Sequence, residues 1–320
     1  MQHPSNQTYT SLAGRIMVVT GPTASGKSSI AMCLAEQING EILSLDSIAV
    51  YRGMDIGTAK ATIEDQQRVP HHLIDLVSPS KTFSVACYLK QAHAVVEQLE
   101  ARGKIPIFVG GTPMFLKAIL RGFDPGPPAD EAFRRLVEQD VDRYGTEALH
   151  KRLQQVDPLA AHRIDPADAR RMIRALEVAH QTGQPLSHRQ VQFDEPIDAA
   201  RGRVFWIAWD RKQLHQRINE RVERMFQDGL VDEVKALLQL EPPLSKTAAQ
   251  AVGYRELIAC LETGGEINEA KEQIAIHTRQ LAKRQESWLR SFSEIDRIEV
   301  NESISSNEIA NIIHTRFLSS

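Results

Sequence analysis

Residues 15–21, RIMVVTG, form a short apolar, β-branched run that stops at glycine, as a buried parallel strand does. The period then changes. Over residues 27–37 the pattern is helical, with Ile30, Leu34 and Ile38 on one face and Gly40 just after. EILSLDS predicts a second strand, FSVACYLKQAHAVVEQLEARG a helix, and IPIFVGGT (residues 105–112) a further apolar strand. Strands alternating with helices predict an α/β fold with a parallel, doubly wound sheet.

From residue 124 to 200 the pattern predicts no strand. DEAFRRLVEQDVDRYG, TEALHKRLQQV and ADARRMIRALEVAHQTG are amphipathic helical segments separated by Pro and Gly signals. RVFWIAWDR (residues 203–211) reads as a returning core strand, and long helices follow to the C-terminus. The expected organisation is a core of residues 15–123 and 201–320, interrupted by a helical insertion at 124–200. The polar residues 1–14 are expected to form a disordered tail.

Composition narrows this little. The chain has 320 residues, 42% hydrophobic and 25% charged, so a sizeable core is expected. A net charge of −3 argues neither for nor against nucleic acid. Three scattered cysteines, Cys33, Cys87 and Cys260, suggest neither a disulfide framework nor a zinc site. The N-terminus lacks a signal-peptide pattern and no apolar run reaches a membrane span of roughly 20 residues. A cytoplasmic protein without membrane attachment is expected.

The chemistry starts at Gly21-Pro22-Thr23-Ala24-Ser25-Gly26-Lys27-Ser28, which fits G-x-x-x-x-G-K-[ST] between a predicted strand and a predicted helix. Backbone N–H groups of such a loop converge on an anion, helped by the helix N-terminus. Lys27 adds a charge and Ser28 a hydroxyl for Mg²⁺. A motor-type ATPase usually carries a second Asp at a later strand end; here that strand ends FVGGT. The carboxylate comes earlier, as Asp46 in LSLDS. It suits a base acting on an acceptor nucleophile better than a motor's metal ligand, with a cap or turn residue as the alternative on spacing alone. Gly110-Gly111-Thr112 brings a hydroxyl to the same crevice. His71 and His72 read as ordinary loop residues.

Basic residues cluster downstream: Arg170, Arg171 and Arg174; Arg217, Arg221 and Arg224; and Arg279, Lys283, Arg284 and Arg290 near Trp288 and Phe292. Such clusters mark either a nucleic-acid track or solvated helix faces.

Taken in order, GPTASGKS, DSIAVYRGMDIGTAK, PHHLID, VGGT, RRMIRALEV, RINERVERM, AVGYREL and TRQLAKRQ resemble the tRNA dimethylallyltransferases (tRNA isopentenyltransferases) of bacterial type, from about residue 15 to 292. The resemblance implies a P-loop NTPase-like core and transfer of a dimethylallyl group from dimethylallyl diphosphate to N6 of adenosine-37, beside the tRNA anticodon. The loop then holds the prenyl diphosphate in place of ATP, with Mg²⁺ at Ser28. Asp46 matches the general base and Thr112 a catalytic-site hydroxyl. The diphosphate site maps to Gly21, Thr23, Ala24, Ser25, Gly26, Lys27 and Ser28, with Arg217 and Arg221. Contacts to tRNA are implied at Asp46, Ser47, Ile48, Ala49, Thr112, Arg134, Arg170, Arg171, Met172, Ile173 and Arg174. Further ones fall at Gln250, Ala251, Val252, Gly253, Tyr254 and Arg255, and at Thr278, Arg279, Gln280, Leu281, Ala282, Lys283, Arg284 and Gln285. The insertion would grip the anticodon stem-loop, and a monomer is expected. Ala49, Ala61, Pro113 and Phe115 depart from the commoner family residues. The residues alone leave two other classes open: a kinase using the loop for ATP, and a non-catalytic RNA-binding module.

Overall fold

The computed structural model describes residues 8–189 and 195–319. It divides into two compact units, one of residues 12–120 and 196–320 and one of residues 1–11 and 121–195.

The first unit is built on β1 (Met17–Thr20), β2 (Gly40–Ser44), β3 (His71–His72), β4 (Ile105–Gly110), β5 (Val204–Trp209) and β6 (Asp296–Val300). Their order is β3-β2-β4-β1-β5-β6, and every pairing is parallel. β1 and β5 are largely apolar, and β1, β2 and β5 are buried nearly end to end, as strands covered on both faces must be. One sheet face packs Val19, Ile42, Ile107 and Ile207 against Ile30 and Leu34 of the Lys27–Ile38 helix and Ile309 and Ile313 of the Ser306–Leu318 helix. A second core gathers Leu214, Ile218 and Val222 of the Arg211–Gln227 helix with Tyr254, Leu257 and Ile274. The four-residue recurrence at Ile30, Leu34 and Ile38 thus marks the seam against the sheet.

Two strands depart from the sequence reading. The C-terminal segment is not wholly helical, because DRIEV pairs in parallel with β5 as β6. Its alternating charges hid it: at the sheet edge Ile298 and Val300 are buried while Arg297 and Glu299 face out. Likewise His71 and His72 are not loop residues but a two-residue edge strand on β2.

In the helical unit, Phe133, Val137, Leu149, Leu153, Met172 and Leu176 form the core. The two helices predicted around Gly145 are both present within Glu131–Val156 and are divided at that glycine, where φ is 79° and ψ 168°. Residues 8–14 are not a disordered tail: Tyr9, Leu12 and Ala13 are buried, and Tyr9 exchanges backbone hydrogen bonds with Phe123. Residues 1–7 of that expected tail, and 190–194 of the expected insertion, lie outside the described residues.

Candidate active site

The phosphate loop joins β1 to the Lys27–Ile38 helix, as the motif requires. Three distant side chains hold its backbone. The Trp209 indole donates to Ser25 O (2.8 Å), Arg217 Nε donates to Ala24 O (2.9 Å), and Gln285 Oε1 accepts from Thr23 N (2.9 Å). Arg217 also stacks over the Trp209 ring, 4.3 Å from its centroid. Buried Ser25 Oγ has no hydrogen-bond partner among the described residues.

Lys27 donates to Pro22 O (3.2 Å). Burial, reinforced by Arg221 and opposed by Asp46, pushes its ammonium down to about 8. Arg221 donates to Thr58 O (3.1 Å). Burial lowers its pKa too, again against support from Asp46. Asp46 is therefore the anionic group that both cations sense.

The ends of β2 and β4 are strapped together, because Thr112 N donates to Leu45 O (3.2 Å). Gly110 permits this closeness, since a Cβ there would stand 2.2 Å from Leu45 O, and Gly111 fits as closely on the phosphate-loop side, where a Cβ would stand 2.7 Å from both Gln285 Nε2 and Gly21 O. Gln285 Nε2 donates to Gly111 O (2.8 Å), so one buried amide ties the phosphate loop to the Gly-Gly turn. The strap places Asp46 beside Thr112, whose Oγ1 accepts from Ser47 N (3.1 Å). Asp46 Oδ1 accepts from Ile48 N (2.8 Å) and Ala49 N (3.3 Å). The turn reading of Asp46 is thus realised by one oxygen, and among the described residues Oδ2 takes no hydrogen bond and is left for other chemistry.

These groups line one cavity of about 510 Å³, with Thr23, Lys27, Ser28, Asp46, Thr112 and Arg221 among its polar members and Met32, Ile42, Val109, Met225 and Leu281 among its apolar ones. A second cavity, about 690 Å³, shares Lys27, Ser28 and Arg221 with it and adds Gly26, Arg217 and Arg224. A cationic loop, a carboxylate with a spare oxygen, a hydroxyl and an apolar wall can together hold an anionic donor with an apolar tail and deprotonate an acceptor.

Of the other candidates, Ser47, Ile48, Ala49, Gln250, Ala251, Val252, Gly253, Tyr254 and Thr278 line the first cavity. The Ile267–Leu289 helix splits its run of candidates. Thr278, Leu281 and Gln285 reach the cavity and Ala282 the core, whereas Gln280, Lys283 and Arg284 face solvent. Arg279 donates to Asn219 Oδ1 (2.7 Å). Arg255 lies off the cavity, paired with Glu256 and His277.

In the helical unit, Met172 and Ile173 are core residues. Arg134 and Arg174 converge on Glu177, whose side chain is fully buried. Burial alone would raise the Glu177 carboxyl, but these guanidinium hydrogen bonds and the Asp130 N–H hold it below the usual range. Arg170 and Arg171 are exposed, and Arg171 pairs with Asp168 (3.2 Å).

Sequence reasoning missed Trp209 as a loop clamp and His71 as a cavity residue. His71 Nδ1 lies 2.7 Å from Val69 O, and burial lowers the imidazole pKa. Trp209 closes an apolar strand and carried no signal beyond core. Two departures from the family pattern acquire a place: Phe115 stacks on Tyr88 (centroids 3.9 Å apart), and Pro113 opens the Pro113–Arg121 helix, where a missing N–H costs nothing.

A family model described as IPP transferase matches residues 49–292. The chain is 56% identical over 317 residues to a tRNA dimethylallyltransferase of Rhodopirellula baltica, covering 96% of this chain and 95% of that one. It is similar to the crystal structure of the full-length tRNA isopentenylpyrophosphate transferase of Bacillus halodurans, with TM-score 0.67 and 36% identity over 95% of this chain and 97% of that one. A eukaryotic dimethylallyltransferase captured acting on tRNA superposes with TM-score 0.75 at 25% identity, over 95% of this chain and 79% of that one. The chain therefore belongs to the IPP transferase family, the tRNA dimethylallyltransferases.

Proposed function

We propose that this chain transfers a dimethylallyl group from dimethylallyl diphosphate to N6 of adenosine-37 in tRNA. The product is N6-dimethylallyladenosine beside the anticodon of tRNAs reading codons that begin with U. The observation that carries this reading is the cavity in which Asp46 and Thr112, side by side, share walls with Lys27, Ser28 and Arg221.

In this reading the diphosphate lies on the N–H groups of Thr23–Ser28, with Lys27 countering its charge and Arg217 and Arg221 supporting the loop side. The extruded adenine meets the allylic carbon in the cavity. The N6–C bond forms as the C–O bond to diphosphate breaks; the amine proton passes to Asp46 Oδ2, and diphosphate leaves. An exocyclic amine is a weak nucleophile, so an acceptor for its proton matters. Thr112 steadies Ser47, next to that carboxylate.

A Mg²⁺ ion fits the donor set as a lightly held ion. The exposed Ser28 hydroxyl lines both cavities, while the described residues contain no group of three or more His, Cys, Asp or Glu that could hold a metal. Mg²⁺ keeps most of its waters and is typically bound by one or two protein oxygens plus substrate phosphates. When bound it would neutralise diphosphate charge.

For tRNA, the exposed Arg170, Arg171, Lys283 and Arg284 are the candidates for phosphate contact, and the helical unit is the candidate for the anticodon stem-loop. Arg134 and Arg174 then act by building that unit. One chain supplies the loop, the base and the hydroxyl, so we read it as a monomer working in the cytoplasm.

The test is incubation with labelled dimethylallyl diphosphate, Mg²⁺ and unmodified tRNA, followed by nucleoside analysis. Label in N6-dimethylallyladenosine, lost on chelation of Mg²⁺, is expected. ATP hydrolysis without prenylated nucleoside would move the loop to a kinase-like role.

A further inference from the structure

We propose that Glu233 is a positioning residue for diphosphate binding, locking together two walls of the cavity without touching it. This rests on the phosphate-loop reading above. Glu233 belongs to the Leu230–Leu238 helix and lines neither cavity. Its carboxylate takes four hydrogen bonds. Oε2 accepts from Asp55 N and Ile56 N, both at 2.8 Å, while Oε1 accepts from Gly57 N (3.2 Å) and from the Tyr254 hydroxyl (2.7 Å).

Three consecutive backbone donors and one side-chain donor thus converge on a single side chain. Gly57 and Tyr254 line the cavity that holds Asp46, and Asp55 and Ile56 line the second cavity. Gly57, Thr58, Ala59 and Lys60 line the first cavity on one side, and Gly253 and Tyr254 line it from another segment. The walls are also in direct contact: a Cβ on Gly57 would stand 2.5 Å from the Tyr254 ring, so this turn can lie flat on the ring only as glycine.

The lock reaches the cations. Thr58, next to Gly57, accepts from Arg221 NH2 (3.1 Å), and Lys60 reaches back to Tyr51 O (2.9 Å) and Asp75 Oδ1 (2.7 Å). Arg221 in turn shares the cavity with Lys27 and Asp46. Glu233 therefore fixes the carbonyl that aims Arg221. Glutamine at 233 has one acceptor oxygen and would turn its NH₂ toward one set of donors, so it opens the lock with little change in shape. Removing the Tyr254 hydroxyl takes away only one of the four bonds.

The experiment is calorimetric titration of inorganic pyrophosphate into the full chain, wild type, Glu233→Gln and Tyr254→Phe, each with its melting temperature. Hydrogen bonds to charged groups are among the stronger ones. Glu233→Gln is expected to weaken pyrophosphate about tenfold with binding stoichiometry intact. Tyr254→Phe should weaken it by about two- to threefold in the same direction. Unchanged affinity in folded Glu233→Gln overturns the inference, as does a loss of stoichiometry that merely follows a lowered melting temperature. If Glu233→Gln does not fold, unchanged affinity in Tyr254→Phe overturns it. Failure of the wild type itself to bind pyrophosphate would instead sink the phosphate-loop reading.

Discussion

The Lys27 ammonium is the group whose surroundings most change its chemistry. Burial first, then Arg221, hold it at about 8 against the favourable Asp46, so free enzyme near that pH carries the side chain half neutral. Diphosphate favours the charged form. Binding above about pH 8 must therefore take up a proton, and affinity must fall as pH rises, by up to about tenfold per unit. Pyrophosphate titrations from about pH 7 to 10 should show that decline, steepening past about pH 8, and Lys27→Ala should flatten it. A flat wild-type profile would mean that Lys27 does not face the anion. The same substitution should abolish prenyl transfer while leaving tRNA affinity in the absence of donor nearly unchanged.

Between elements, catalysis turns on how closely β1, β2 and β4 end. Gly111→Ala puts a methyl group 2.7 Å from Gln285 Nε2 and Gly21 O, so either the phosphate loop or the Asp46 turn must shift. Misplacement of about 1 Å can cost about 10²-fold. We expect a loss of that order in kcat/KM with little change in far-ultraviolet circular dichroism; wild-type turnover would show that this close fit is not needed. On the Ile267–Leu289 helix, exposed Lys283 and Arg284 with Arg279 should carry a salt-dependent share of tRNA affinity. Replacing all three should lower the slope of log K against log salt by roughly one for each phosphate no longer neutralised. An unchanged slope would make this face solvent-facing only.

The spacing between elements also decided what was legible beforehand. The positions of the phosphate loop, Asp46 and Thr112 at strand ends could be read because local chemistry specifies them within a few residues, whereas the roles expected of Asp46 on the adenine amine and of Thr112 came from the family resemblance. β6 could not, since an edge strand buries only Ile298 and Val300 and its pattern is mostly charge. Trp209, Gln285 and Glu233 act through backbone atoms 174 or more residues away, and no periodicity records such partners. The basic cluster at Arg170, Arg171 and Arg174 gave one signal for two roles, because only the buried Glu177 separates the structural Arg174 from its exposed neighbours.

At the scale of the molecule there are two compact units with separate cores. Glu177 holds the helical one: its carboxyl is kept low by Arg134 and Arg174 in spite of burial, so its contribution is present above the ordinary glutamate range and lost as pH falls through the depressed value. Glu177→Ala, which takes the shared carboxylate from two half-buried guanidinium groups while leaving Arg174 its Pro125 and Pro127 carbonyls, should destabilise this unit by about 1.5–3 kcal/mol. An earlier thermal transition with unchanged pyrophosphate affinity is expected; equal losses in both would contradict separate cores. In the proposed reaction Asp46 takes the amine proton while the phosphate loop holds the leaving group. The most direct measurement is single-turnover formation of N6-dimethylallyladenosine at saturating tRNA and dimethylallyl diphosphate, wild type against Asp46→Asn. Asp46→Asn is predicted to slow the chemical step by about 10²–10⁴-fold while donor and tRNA affinities change far less. An Asp46→Asn enzyme as fast as wild type under saturation would contradict that claim.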